Sequence, residues 1–191
     1  MVHKNGDNTK DRQDSTVVTL SVSDVMALED SICPFSAEDR QRMALSAMES
    51  YGLCGMGTRQ GESWIEVILV SPSQGVPTSH PLSAFGIDQS TAALLVVFGE
   101  SSLSLSKKIY VGLCRRLKGQ IEGIEAQSGH TSVLTPSSQW LIALGFQPLR
   151  YPVGRYRLSF SSLASWVDDQ LARLRRPRVT LSEQPTSRST S

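Results

Sequence analysis

A serine-rich bend in the middle of the chain has the residues best suited to binding an anion. The bend covers residues 99–106 and lies between an uncharged apolar run and a helical pattern. Main-chain N–H groups at the start of a helix lack partners within the helix, and the helix dipole favours negative charge there. The bend therefore predicts an anion-binding site at the end of a strand.

The elements on either side of the bend predict how it is positioned. Residues 91–98 carry no charge, which is typical of a strand buried on both faces of a sheet. After the bend an apolar stripe recurs every four residues, as in a helix that packs on a sheet: Leu105, Ile109, Leu113 and Leu117. Residues 121–126 then alternate as a short strand. This order predicts a right-handed βαβ unit with parallel strands, and such units bind ligands at the carboxyl ends of their strands.

The remaining reactive side chains show no spacing of a known kind of site. Cys33, Cys54 and Cys114 are far apart, which predicts buried thiols rather than a disulfide framework or a zinc site. The three histidines lack the spacing of a covalent catalytic set. The net charge of +1 gives no overall field towards nucleic acid or an anionic membrane. We therefore expect neither as a partner, and we expect no metal.

The composition predicts one folded domain. The chain has 191 residues, 39% of them hydrophobic and 19% charged, as in soluble globular proteins. Residues 1–15 and 179–191 are polar and predict disordered tails, which leaves a domain at residues 16–178. The first residues lack the apolar core of a signal peptide, and no apolar run is long enough to span a bilayer. We expect a cytoplasmic protein.

Local patterns predict the other elements. They are a strand at 16–22, a helix capped by Ser23 and Asp24, a helix from Ser36, strands at 51–59 and 63–71, a connection at 72–88, a helix at 137–144, strands at 146–151 and 156–160, and an amphipathic helix at 162–174. The fold class is therefore mixed α/β, with a central mixed, twisted sheet flanked by helices and an extra C-terminal helix.

Two segments near the C-terminus resemble a known family. Residues 140–146 read Trp-Leu-Ile-Ala-Leu-Gly-Phe, and residues 155–158 read Arg-Tyr-Arg-Leu. With the order of elements, they resemble the GCN5-related N-acetyltransferase (GNAT) family, and actinobacterial members in particular, which end in a helix like residues 165–169. The resemblance covers residues 17–174 and implies an acyl-CoA N-acyltransferase fold.

The resemblance implies a binding site for acetyl-CoA as cosubstrate between two splayed parallel strands, here 94–99 and 123–126. Main-chain amides of a loop before the following helix would bind its pyrophosphate. The residues that this implies for cofactor binding are Val96, Val97, Phe98, Ser101, Ser102, Leu103, Ser104, Leu105, Ser106, Lys107, Ser137 and Trp140. Lys107 is equally consistent with a solvated surface lysine.

The sequence departs from the family pattern in the pyrophosphate loop. The motif positions that the family fills with Gln or Arg, Gly, and Gly or Ala are occupied by Ser101, Ser104 and Ser106. Each serine adds a side chain where glycine lets the backbone approach a phosphate closely, although a serine hydroxyl can itself donate to phosphate. The loop is therefore degenerate relative to the family.

A second departure concerns proton transfer. Leu141 occupies the position of the tyrosine that protonates the departing thiolate in many members, and an aliphatic side chain cannot donate a proton. Tyr156 is our candidate acid, with Tyr151 and Ser137 as alternatives, and a packed aromatic as its ordinary role.

Several residues are candidates for the base that accepts the proton of the amine. Glu66 and Glu100 are the candidate carboxylates, with His80 as an alternative. Each is equally explained as a surface group.

The sequence thus predicts an N-acetyltransferase that transfers an acetyl group to an unknown amine acceptor by direct attack on the thioester. The alternative is a catalytically degenerate relative that acts as a binding module. A third reading is an unrelated α/β scaffold that shares only the architecture. We expect a monomer or homodimer.

Overall fold

A computed structural model of the chain describes residues 16–98, 103–129 and 135–161. Its strands are β1 Thr16–Leu20, β2 Gly55–Gln60, β3 Ser63–Pro72, β4 Thr91–Phe98, β5 Gly123–Gln127, β6 Gln147–Pro148 and β7 Arg155–Ser159. Its α-helices are α1 Val22–Met26, α2 Ala37–Tyr51, α3 Leu103–Leu117 and α4 Ser138–Ala143, and two 3₁₀ turns lie at Ser73–Gly75 and Pro81–Phe85.

The described strands form one sheet in the order β1-β2-β3-β4-β5-β7-β6. β4 and β5 are parallel, and the other neighbouring pairs are antiparallel. The predicted mixed α/β class is confirmed, as is the βαβ unit formed by β4, α3 and β5. Residues 162–174, where the sequence predicts a further helix, lie outside the described residues.

The sheet separates two hydrophobic clusters. One cluster contains Ile109, Leu113 and Leu117 of α3 together with Leu141 and Leu144 of α4. The other includes residues of α1, of the first half of α2 and of the 72–90 connection. β4 supplies Ala92 and Leu94 to the first cluster and Ala93 and Leu95 to the second, all fully buried. The predicted burial of this strand on both faces is confirmed for these residues.

Two boundaries in the first half of the chain differ from the predictions. Ser21, rather than Ser23 and Asp24, caps α1, because its hydroxyl accepts from the Asp24 amide while the Asp24 carboxylate accepts from the Ser21 amide. Tyr51 ends α2 rather than opening a strand. Gly52 follows it with φ +70°, a left-handed conformation that ends a helix at low cost, and β2 starts only at Gly55. The predicted cap at Ser36 is confirmed.

The connection between β3 and β4 packs against the sheet instead of lying open. Leu82 and Ile87 belong to the buried cluster on the α1 and α2 face, and His80 is 1% exposed. The Nδ1 atom of His80 accepts from the Leu82 amide at 3.2 Å, and its ring meets that of Phe35 edge-on at 6.3 Å. A surface position for His80, and equally for the 1% exposed Glu66, is therefore wrong.

Several predictions fall outside the described residues. They are the tails at 1–15 and 179–191, the C-terminal helix, and residues 99–102 of the bend, which include Glu100, Ser101 and Ser102. Within the described part of the chain, no helix has the length and apolar character needed to cross a bilayer.

Candidate functional site

The parallel strands β4 and β5 separate partway along their length. Their ladder joins Thr91 to Gly123 and ends at the pair Leu94 and Ala126. β4 nevertheless continues to Phe98 while paired with β3 on its other side. The segment from Leu95 to Phe98 thus borders a slot instead of a neighbouring strand.

A β-bulge in β4 lies where the slot begins. Val70 pairs with Leu94, whereas the preceding residue Leu69 pairs with Val96, so Leu95 is the extra residue between them. An extra residue on one strand bends that strand and increases its local twist. The bulge therefore turns β4 at the level where β5 stops following it.

The end of β5 is held by β7 instead of by β4. Gln127 pairs with Arg155, and the Ser128 amide donates to the Gly154 carbonyl at 2.7 Å. The side-chain amide of Gln127 also donates to the Val153 carbonyl at 3.3 Å. The sheet therefore consists of two halves, one with β1, β2, β3 and β4 and the other with β5, β7 and β6. Among the described strands, the two halves are joined by the ladder between Thr91–Leu94 and Gly123–Ala126.

Two helices lie on one face of this slot. Leu103 to Ser106, which the sequence assigned to cofactor binding, form the first turn of α3, directly after the undescribed part of the bend, and Lys107 follows, half-buried. Ser137 caps α4, where its hydroxyl accepts from the Trp140 amide at 3.2 Å. Val96, Val97 and Phe98 lie in the part of β4 that is paired with β3 but not with β5. Of the described members of the predicted cofactor set, three thus lie on β4 beside the slot, and the others lie at the starts of α3 and α4.

An aromatic group connects α3 and α4. The ring of Tyr110 meets that of Trp140 edge-on at 6.4 Å and that of Phe146 at 5.9 Å. Tyr110 is fully buried, and burial raises the pKa of its hydroxyl well above the usual value. Cys114 lies one helical turn further along α3, and burial raises the pKa of that thiol to about 12. Both groups are therefore neutral over the physiological pH range.

The proton-transfer candidates lie in different places. Tyr156, on β7, is half-buried against the cluster on the α3 face, next to Ala126 on β5. Glu66 is on the same face of β3 as Ile68, opposite the buried Thr58 of β2. β4 lies between β3 and the slot, so Glu66 is one strand away from it. Leu141 is fully buried in the core.

The face of the sheet opposite α3 carries charged residues that sequence analysis missed. Glu125 of β5 is 2% exposed, and its Oε2 accepts from Arg155 Nε at 2.7 Å, with Arg155 Nη2 also in contact. Arg155 Nη2 also donates to the Gly86 carbonyl at 2.8 Å. This ion pair fastens the 72–90 connection to the β5 and β7 half of the sheet.

A second arginine lies beside this pair. Arg157 Nη1 is 3.9 Å from Glu125 Oε1. The available sequence signal was the alternation of Arg155 and Arg157 with the apolar-facing Tyr156 and Leu158, which predicts both arginines on one face. Their partner Glu125 is 30 residues before Arg155, and no local pattern identifies it. Within the described ranges, no group of three or more His, Cys, Asp or Glu side chains could hold a metal ion.

No family model and no curated protein matches the sequence. Solved structures similar to this chain include a protein from Desulfovibrio desulfuricans assigned to the acetyltransferases of the GNAT family, with 15% identity and a TM-score of 0.48 over 76% of this chain and 99% of that one. A GNAT-family acetyltransferase from Brucella melitensis, in complex with acetyl-CoA, has 13% identity and a TM-score of 0.46 over 78% and 89% of the two chains.

A third similar structure is the aminoglycoside acetyltransferase AAC(6')-Ib in complex with coenzyme A. It has 12% identity and a TM-score of 0.43 over 80% of this chain and 98% of that one. Identities and TM-scores this low establish neither a family nor a ligand for this chain.

Proposed function

We propose that this protein is an acetyl-CoA-dependent N-acyltransferase that transfers an acyl group to a primary amine of a small molecule or a protein. The observation that supports the proposal is the end of the β4 and β5 ladder at Leu94 and Ala126, while β4 continues to Phe98. A strand edge without a neighbouring strand has main-chain N–H and C=O groups available for a ligand. The resemblance in the sequence implies the same position for acetyl-CoA.

The residues around the slot suit a pantetheine arm. Its amide groups can pair with the main chain of β4 between Leu95 and Phe98, much as an added strand would. Small side chains line the paired strands below, with Ala92, Ala93 and Ala126 all fully buried. The start of α3 at Leu103 offers helix N-terminal amides for the pyrophosphate.

The chemistry assigned to the chain's own residues is positioning and proton transfer. Acetyl-CoA supplies an activated thioester, and the acceptor amine attacks its carbonyl carbon directly. As that bond forms, the C–S bond breaks, the amine loses a proton to a base, and the thiolate gains one from an acid. Tyr156 is our candidate acid, because it lies beside Ala126 at the level where the strands separate. Glu66 and Glu100 stay the predicted bases.

A second candidate is a binding module that has kept the slot and lost turnover. The observation that favours it is Leu141, which fills the usual acid position with a fully buried aliphatic side chain. Tyr110 on α3 does not replace it, because its side chain is fully buried in the core and burial disfavours the phenolate that would remain after proton donation. On this alternative, acetyl-CoA binds and no amine is acetylated.

Calorimetry and thermal unfolding with acetyl-CoA test the proposal directly. A ligand at a hundred times its dissociation constant stabilises a protein by about 2.7 kcal/mol, so the melting temperature rises measurably. Adenosine 3',5'-bisphosphate, which lacks the pantetheine arm, is the matched control and should bind more weakly. Absence of binding would overturn both candidates. Binding without release of thiol in the presence of an amine panel would favour the binding module.

A finer assignment accompanies the proposal. We place the chain with the actinobacterial type of GNAT protein, on the sequence of residues 140–158 and 165–169. The transferred group in this proposal is acetyl, and its acceptor is an amine rather than a hydroxyl. Mass spectrometry of the acetylated product from the amine panel would decide the acceptor atom.

A further inference from the structure

Arg157 has a partly buried side chain whose guanidinium donates no hydrogen bond within the part of the chain that the structure describes. Its side chain is 34% exposed, and its nearest charged partner is Glu125 Oε1, at 3.9 Å from Nη1, beyond hydrogen-bond distance. Among the described residues the Arg157 guanidinium donates no hydrogen bond. A guanidinium has five N–H donors in a planar fork, and withdrawing them from water without partners is unfavourable.

The neighbouring carboxylates are already occupied. Glu125 accepts from Arg155, which in turn donates to the Gly86 carbonyl. The exposed Asp88 accepts from the Ser90 amide at 3.0 Å, and this hydrogen bond, more than the charge of Arg157, holds the pKa of Asp88 below its usual value. Arg155 neutralises Glu125, so among the described residues the positive charge of Arg157 has no carboxylate of its own at hydrogen-bond distance.

The position of Arg157 relates this charge to the slot. Arg157 pairs with Glu125, which pairs with Ala93, one residue before the last β4 and β5 pair. Arg157 and Glu125 lie on the face opposite α3, because Tyr156, Leu158 and Ala126 occupy the α3 face. In the proposed function the cofactor enters from the α3 face, so the amine approaches from the face of Arg157.

We propose that Arg157 binds a carboxylate of the acceptor, so that the substrate class is primary amines that carry a carboxylate group. The inference rests on the proposed function. A guanidinium fork matches the two oxygens of a carboxylate and can hold them with two parallel hydrogen bonds.

The test compares carboxylates with their carboxamides. In turnover, glycine and β-alanine are measured against glycinamide and β-alaninamide with acetyl-CoA. In calorimetry, N-acetylglycine is measured against N-acetylglycinamide in the presence of coenzyme A, which requires no turnover. We expect the wild type to prefer the carboxylate roughly 10- to 100-fold in at least one of the two measurements, since hydrogen bonds between charged groups contribute that much. Equal values for both members of each pair in both measurements overturn the proposal.

Variants assign the preference to this side chain. Arg157→Gln should lose the preference because KM or Kd rises for the carboxylates, while the values for the carboxamides stay unchanged. Arg42→Gln is the matched control, since Arg42 forms an exposed ion pair with Asp39 on α2, and it should keep the preference. A preference that survives in Arg157→Gln overturns the proposal. If that variant does not fold, Arg157→Lys replaces it and should bind the carboxylate more weakly, because an ammonium group lacks the planar fork of the guanidinium. Unchanged affinity for the carboxylate in the lysine variant overturns the proposal.

The two proposals fail in different ways. A wild type that binds N-acetylglycine through Arg157 but shows no heat with acetyl-CoA would refute the transferase and leave the carboxylate site. A wild type that acetylates carboxylates and carboxamides equally, with equal affinity for the two N-acetyl compounds, would refute the carboxylate site and leave the transferase.

Discussion

Leu94 and Ala126 are the last two residues that hold β4 and β5 together as neighbours in the sheet. Leu95, the bulged residue of β4, follows immediately. On the other strand, Gln127 pairs with Arg155 of β7. The slot therefore follows from the strand pairing, because β4 stays paired with β3 and β5 stays paired with β7 where β4 and β5 separate.

Hydrogen exchange should detect this slot and its ligand. Main-chain amides of β4 between Leu95 and Phe98 that face β5 should exchange faster than those of the paired segment 91–94, because they lack a strand partner. Saturating acetyl-CoA should slow their exchange by hydrogen bonding to this edge. Mass spectrometry of peptides from residues 91–98 makes the measurement.

The antiparallel pair of β2 and β3 provides the internal reference for that experiment. Peptides from residues 63–70 should change little, since β3 is paired on both sides. Equal protection of both regions on adding acetyl-CoA would indicate general stabilisation and argue against binding in the slot.

A pair of substitutions at Ser137 should separate capping from cofactor binding. Ser137→Ala should lower the free energy of unfolding by about 1 kcal/mol, because the Trp140 amide loses its acceptor. Ser137→Gly should cost only a few tenths of a kcal/mol, since glycine is tolerated at this position. Because we predict that the hydroxyl also contacts the cofactor, both variants should weaken acetyl-CoA binding equally. Unchanged affinity in both would restrict Ser137 to its structural role.

Removing the Tyr156 hydroxyl tests the assignment of the acid. Tyr156→Phe should lower kcat by roughly 100-fold or more, with KM and the melting temperature nearly unchanged, because a positioned acid contributes about 10²- to 10⁴-fold. Thiol release measures the rate. Tyr51→Phe is the control, since Tyr51 is buried at the end of α2 and burial raises the pKa of its hydroxyl to about 12. A normal rate in Tyr156→Phe would exclude the residue as the acid.

The strands and helices around the slot could be predicted from the sequence because their signals are local, whereas the separation of the two strands was implied only by the family resemblance. An uncharged run marked β4, and apolar residues four apart marked α3, whose Ile109, Leu113 and Leu117 are all fully buried. The predicted cap at Ser36 follows from the side chain's reach to an amide three residues later. A βαβ order then predicts parallel pairing without further information.

The charged cluster could not be predicted, because its members are distant in sequence. Glu125 meets Arg155 across 30 residues, and Arg155 meets Gly86 across 69 residues. Glu66 was also misjudged as a possible surface group. A single charge in an apolar strand gives no indication of whether a partner exists inside the fold, and its burial depends on how β2 and α3 cover it.

Cys114 should make the protein sensitive to alkali. The thiol has a pKa of about 12 when folded, against an ordinary value of 9.0, because burial outweighs the favourable hydrogen bond from Tyr110. Between these values the unfolded chain has lost the proton and the folded chain retains it, so the unfolded state binds fewer protons and stability falls as pH rises. Each such group contributes about 1.4 kcal/mol per pH unit in this window. The free energy of unfolding, measured in urea between pH 8 and 11, should therefore fall less steeply with pH in Cys114→Ala than in the wild type, by about 1.4 kcal/mol per pH unit within this window. The variant's cavity costs the same at every pH, so equal slopes would contradict the burial of a neutral thiol at this position.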